Sequence, residues 1–93
     1  MPFAVVIYSN LEGVALEERL TFLNEQVVPR VKERSGFRAA RFLRSLDGAT
    51  GVASLIFDTE ADAQAQLDFV ATNPLPGGPT ITSTAVFEVI LEV

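Results

Sequence analysis

The sequence predicts an α+β domain of ferredoxin-like order, β-α-β-β-α-β: a four-stranded antiparallel sheet with two helices on one face. Three observations predict it. Short β-branched and aromatic runs lie at both ends and in the middle of the chain. Two longer segments between them carry apolar residues at helical spacing, and Asn, Asp, Gly or Pro punctuate the junctions. Residues 1–93 suffice for a single domain with one modest core.

Phe3 to Tyr8, "FAVVIY", is too short for a helix and reads as the first strand; "SNLEG" turns the chain. From Val14 to about Arg34, Leu16, Leu20, Leu23, Val27 and Val31 form one helical stripe. Pro29 lies inside it. It lacks a backbone donor and crowds the carbonyl of Glu25, so a kink or restart is expected there. Arg34 suits the helix C-terminus and Gly36 a left-handed cap. Phe37 to Leu46 would accept a helix, but its length, Gly36 before it and "DGATG" after it favour a strand. That strand turns at Asp47-Gly48 into the next, Val52 to Asp58. The second helix runs from Glu60 to Ala71, with Thr59 as N-cap, Asp62 at the capping-box position and Ala63, Leu67, Val70 and Ala71 buried. Asn73-Pro74 stops it. "NPLPGGPT" is a loop and a candidate lid, and Ile81 to Val93 is the last strand.

Composition removes several chemistries. The chain has no Cys and no His, which excludes disulfides, thiolate zinc sites and catalysis built on a Cys or His base. Neither a cofactor nor a metal is expected. Asp58, Glu60 and Asp62 cluster at a helix start, where acids complement the macrodipole without a cation. A net charge of −5 argues against nucleic acid. The apolar N-terminal run is too short to span a membrane and lacks a basic flank, so a cytoplasmic location is expected. All seven cations fall between Arg19 and Arg44, and every charge after Ser45 is acidic.

The 48% hydrophobic content and a mean hydropathy of +0.31 need somewhere to go. Phe3, Val5 and Ile7 oppose Ala4, Val6 and Tyr8, and Val52 to Phe57 is nearly as apolar on both sides. Helices cover one face only, so a homodimer packed through the bare sheet face is expected.

Arg38, Arg41 and Arg44 leave three readings open. Arg38 and Arg44 share a face and could guard a sheet edge. One of them could pair with Glu88 or Glu92 across the dimer face. Arg41, which points the other way, could hold an anionic ligand. Glu88 would be a candidate base if it faced an apolar interior.

The element order, "VVPRVKERSGF" leaving helix one and "SLIFDTEADAQAQ" entering helix two resemble the dimeric α+β barrel proteins of the antibiotic-biosynthesis-monooxygenase (ABM) type. The shared features are Val28-Pro29, Gly36-Phe37 and Asp58-Thr59-Glu60, and they span nearly the whole chain. The resemblance implies a dimeric barrel that binds a small apolar or aromatic molecule. Alternatively, it implies a cofactor-independent monooxygenase of a quinol or polycyclic phenol. Other members degrade haem with Asn, Trp and His; this chain has neither Trp nor His. By that resemblance Asn10, after the first strand, and Tyr8, which could bond a phenol or quinone, join Arg41 and Glu88 as candidate contacts. Apart from it, Asn10 reads as a turn former and Tyr8 as a packing residue.

Overall fold

A computed structural model describes residues 1–93. Strands β1 (Phe3–Asn10), β2 (Phe37–Arg44), β3 (Thr50–Phe57) and β4 (Thr80–Glu88) form one antiparallel sheet in the order β2-β3-β1-β4. The first helical segment is α1 (Leu16–Phe22), a wide π turn (Leu23–Val27) and α2 (Val28–Lys32); α3 is Glu60–Thr72. This is the ferredoxin-like arrangement expected from the element order.

Phe37–Arg44 is a strand, as its flanking turns required. Asp47 makes the hairpin rigid: its Oδ1 accepts from Ser45 Oγ at 2.7 Å and from the Ala49 N–H at 2.9 Å. The bond from Ser45, then that from Ala49, hold the Asp47 carboxyl below the usual aspartate range. Gly48 takes φ +76° there.

The register places Phe3, Val5, Ile7 and Ser9 of β1, Ala53, Leu55 and Phe57 of β3, Phe37, Ala40 and Phe42 of β2, and Val86 of β4 on the helix side. Val5, Leu55 and Phe57 are fully enclosed with Val31 of α2 and Ala63 of α3. Phe37 meets Phe57 edge to face, with ring centroids 5.9 Å apart. The opposite face carries Ala4, Val6, Tyr8, Val52, Ser54, Ile56, Ala39, Arg41, Leu43, Ala85 and Phe87, and no helix covers it.

Three details refine or depart from the sequence expectation. First, the helix restarts at Val28 after a π turn, the restart expected of Pro29. Pro29 has no N–H to close a turn on the residues before it, and the turn just upstream opens to π geometry, with the Val28 N–H on the Leu23 carbonyl. The apolar stripe therefore slips. Leu23 and Val31 are buried, while Leu16 and Leu20 are about half exposed. Second, β4 ends at Glu88. Val89 still donates to the Pro2 carbonyl at 2.9 Å, but β1 starts at Phe3 and offers no partner beyond, so Ile90, Leu91 and Val93 are exposed. Third, Ala71 is exposed and Gln66 is buried instead.

Gly36 locks the first helical segment to α3. It takes φ +75°, its carbonyl accepts from the Asp58 N–H at 2.8 Å, and the Asp62 side chain occupies the space a Cβ would need. Thr59 caps α3, accepting from the Asp62 N–H at 3.1 Å. We predict that Gly36→Ala destabilises the fold by about 2 kcal/mol, from left-handed backbone strain plus displacement of Asp62. In thermal denaturation this reads as a fall in Tm of roughly 8–16 °C; an unchanged Tm refutes the lock.

Candidate functional site

The helix-side face of the sheet is not filled everywhere. Between it and the helices lies a cavity of about 290 Å³. Its floor is Ile7, Ser9, Phe42, Ala53 and Leu55. Its walls are Phe22, Leu23, Val27 and Val31 on one side and Gln66, Phe69 and Val70 on the other. The "PLPGGP" loop borders the open side with Pro74, Leu75, Gly78 and Pro79, where Gly78 lies so close to the Phe22 ring that a Cβ would touch it at 3.0 Å. The candidate lid is thus part of the cavity lining.

Small side chains and one displaced helix create the space. Ala53 sits opposite Ile7 on β1 and Phe42 on β2, and its methyl leaves room above the sheet. The slip at the π turn points Arg19, Phe22 and Gln26 inward, where a regular helix would have placed Leu16 and Leu20.

Eight of the lining side chains are polar, and those that carry charge are all cations. Arg19, Arg30 and Arg34 line the cavity, and no Asp or Glu does. Burial holds the Arg19 guanidinium below the usual arginine range. Arg34 lies over the Phe69 ring, its Cζ 4.3 Å from the centroid, a cation–π contact. Arg34 Nε and Gln66 Oε1 are buried with no partner in the protein.

None of the four sequence candidates lines this cavity. Tyr8 and Arg41 lie on the opposite face of the sheet, because their parity matches Ala4 and Val6, not Val5 and Ile7. Asn10 makes the turn after β1, its Oδ1 accepting from the Glu12 N–H at 2.9 Å. Glu88 has the parity of Val86 but is exposed at the end of an edge strand, so no apolar enclosure surrounds it. That parity also takes Glu88 off the bare face, away from any pairing across it. Arg38 sits at an irregularity in the β2–β3 register and pairs with Asp58 at 3.5 Å, an exposed contact worth about 0–1 kcal/mol. Arg44 folds back across the hairpin near Gly48. Asp62 turns to Gly36, and no cluster of three or more His, Cys, Asp or Glu side chains is placed to hold a metal. No helix is long and apolar enough to cross a membrane.

Sequence reasoning missed Arg19, Arg30, Arg34 and Gln66. Each lies in or beside a helical segment, where a polar residue between apolar ones reads as solvent-facing. One signal was available: Gln66 lies three residues after Ala63 and four before Val70, on the inward stripe.

No family model matches the chain, and no curated protein matches it in sequence. Solved structures do. The haem-degrader MhuD of Mycobacterium tuberculosis, with two haems bound in its active site, superposes with a TM-score of 0.69 at 20% identity, over 100% of this chain and 99% of that one. Rv0793 from the same organism gives 0.62 at 16% identity, over 100% and 98%. The ActVA-Orf6 monooxygenase of Streptomyces coelicolor, in complex with nanaomycin D, gives 0.59 at 21% identity, over 98% and 92%. At these identities the likeness is one of fold: the chain shares the ferredoxin-like α+β fold of these three proteins, the fold its element order suggested.

Proposed function

We propose that this chain is a homodimeric α+β barrel domain that binds a small apolar or aromatic molecule in the cavity between helices and sheet. The cavity itself carries the reading. Its volume of about 290 Å³ and its mainly apolar lining, interspersed with polar groups, have the character of a small-molecule site. The relatives in fold bind haem and nanaomycin D in their structures, both largely planar and unsaturated. Haem itself does not suit this chain: no His, Cys, Met or Tyr lines the cavity, so iron finds no ordinary axial ligand there.

The homodimer rests on the uncovered sheet face. Tyr8, Leu43 and Phe87 on it are 42%, 54% and 53% exposed, and Val6, Val52 and Ile56 lie between them. A patch of this kind is an association surface, and a second copy of the same face is complementary in hydrophobicity.

A second reading is a cofactor-independent monooxygenase of a quinol or polycyclic phenol, favoured by the likeness in fold to the ActVA-Orf6 monooxygenase. The substrate would supply the electrons: for an anthrone, the ring methylene becomes a carbonyl with one oxygen atom, and its two hydrogens leave as water with the other. The arginines would stabilise the phenolate form and the apolar walls would limit water around it.

Three outcomes test these statements. N-phenylnaphthylamine, an uncharged dye that fluoresces in apolar sites, is expected to saturate at one molecule per chain. Ala53→Leu, which fills the floor, should abolish that signal while the far-UV circular dichroism stays native; a dye response that survives the filling places binding elsewhere. Light scattering on a sizing column should give twice 10.1 kDa, and Val6→Asp on the bare face should give the single-chain mass. A wild-type monomer refutes the dimer. Oxygen uptake with an anthrone, removed by Ala53→Leu, would establish the oxygenase; dye binding without uptake leaves the binding domain alone.

A further inference from the structure

We propose that the molecule held in this cavity is an anion, an apolar or aromatic carboxylate gripped by Arg19, Arg30 and Arg34. The inference rests on the reading of the cavity as a binding site and names the class of occupant.

Charge placement is the first argument. The chain carries −5 overall, yet three of its seven cations converge on one cavity and no acid lines it. The ion pair the fold does make, Arg38 with Asp58, lies elsewhere. Arg19 and Arg30 also border a neighbouring surface depression with Glu17, Glu18 and Glu25, but within the apolar cavity the charged side chains are all cations, and cations held near one another with little water between them repel. A bound carboxylate removes that repulsion.

Unmet hydrogen bonding is the second argument, independent of the first. Arg34 Nε is buried and has no acceptor. A buried charged donor without a partner is costly, and native proteins seldom leave one so. The contact with Phe69, Cζ 4.3 Å from the ring centroid, anchors the guanidinium beside the cavity. A planar, anchored guanidinium with an unpaired Nε–H suits a carboxylate, which accepts two parallel bonds from its edge. Gln66, only 6% exposed, lines the same cavity, and its Oε1 is buried without a partner. It calls for a donor, which a hydroxyl on the same ring would supply. Desolvation of Arg19 adds to the case, since a half-buried cation gains most from an anion at short range.

Geometry divides the roles. Arg30 is exposed at the rim and meets the anion first; Arg34 lies deeper, beside Phe69 and Gln66. The apolar body then rests on Ala53, Leu55 and Phe42, against Val27 and Val70.

The test is competition between naphthoate and its uncharged isostere acetylnaphthalene for displacement of N-phenylnaphthylamine. Naphthoate is expected to displace the dye at a concentration at least about tenfold lower, the strength of one or more charge-assisted hydrogen bonds. Arg30→Gln and Arg34→Gln should each bring the ratio of the two toward one, and Arg41→Gln, on the other face of the sheet, should leave it unchanged. Arg30 is exposed, so its variant remains informative if loss of the Phe69 contact unfolds Arg34→Gln. Equal displacement by the two compounds overturns the anion assignment while the binding site stands. A preference that neither Arg30→Gln nor Arg34→Gln reduces overturns the assignment to these arginines. A dye that does not bind at all, with naphthoate also unbound by calorimetry, overturns both the site and its occupant.

Discussion

Two central strands that are apolar on both sides govern this structure. β1 and β3 lie next to each other and contribute Val5, Leu55 and Phe57 to one face and Val6, Val52 and Ile56 to the other. A sheet with helices on a single side leaves the second face uncovered. The fold thus produces two unequal surfaces from one pair of strands: a core with a cavity in it, and a flat apolar plane outside. The helices answer the first, and a second copy is our proposed answer to the second.

The covered side is shaped by how closely each helix approaches. α3 lies close, with Ala63 fully enclosed against the sheet. The first helical segment touches the core through Val31 and Leu23 but stands away nearer its start, where Arg19 and Phe22 face inward. An arginine cannot pack flat against Ile7 as a leucine would; its charged head needs polar company. The space it keeps open is the cavity.

Much of this was legible beforehand, for reasons that can be named. Asp47-Gly48, Thr59 and Gly36 act locally: a turn, a cap and a left-handed stop depend on neighbours two or three residues away. The alternation along β1 and β3 records both faces directly. The site was harder to read. Arg38, Arg41 and Arg44 stand out because they are close in sequence, but a strand separates alternate residues onto opposite faces, and none of the three reaches the cavity. Arg19, Arg30, Arg34 and Gln66 are spread over 48 positions of the chain and meet only through the packing of α1, α2 and α3. Glu88 and the residues after it looked like continuing strand because their alternation persists, yet a strand needs a neighbour, and β1 had already begun.

Pro29 has a reach beyond its own turn. By denying a backbone donor, it accompanies a widened turn that delays the helix by part of a revolution. Upstream of that turn the inward position belongs to Arg19, while Leu20 is half exposed to solvent. Were the same residues wound at regular pitch, hydrocarbon would replace the guanidinium at the cavity wall. The polarity of the pocket is therefore written in the winding of the backbone as much as in the choice of side chains, and a relative with the same residues but an unwidened helix would present a greasy pocket where this one presents a charged one.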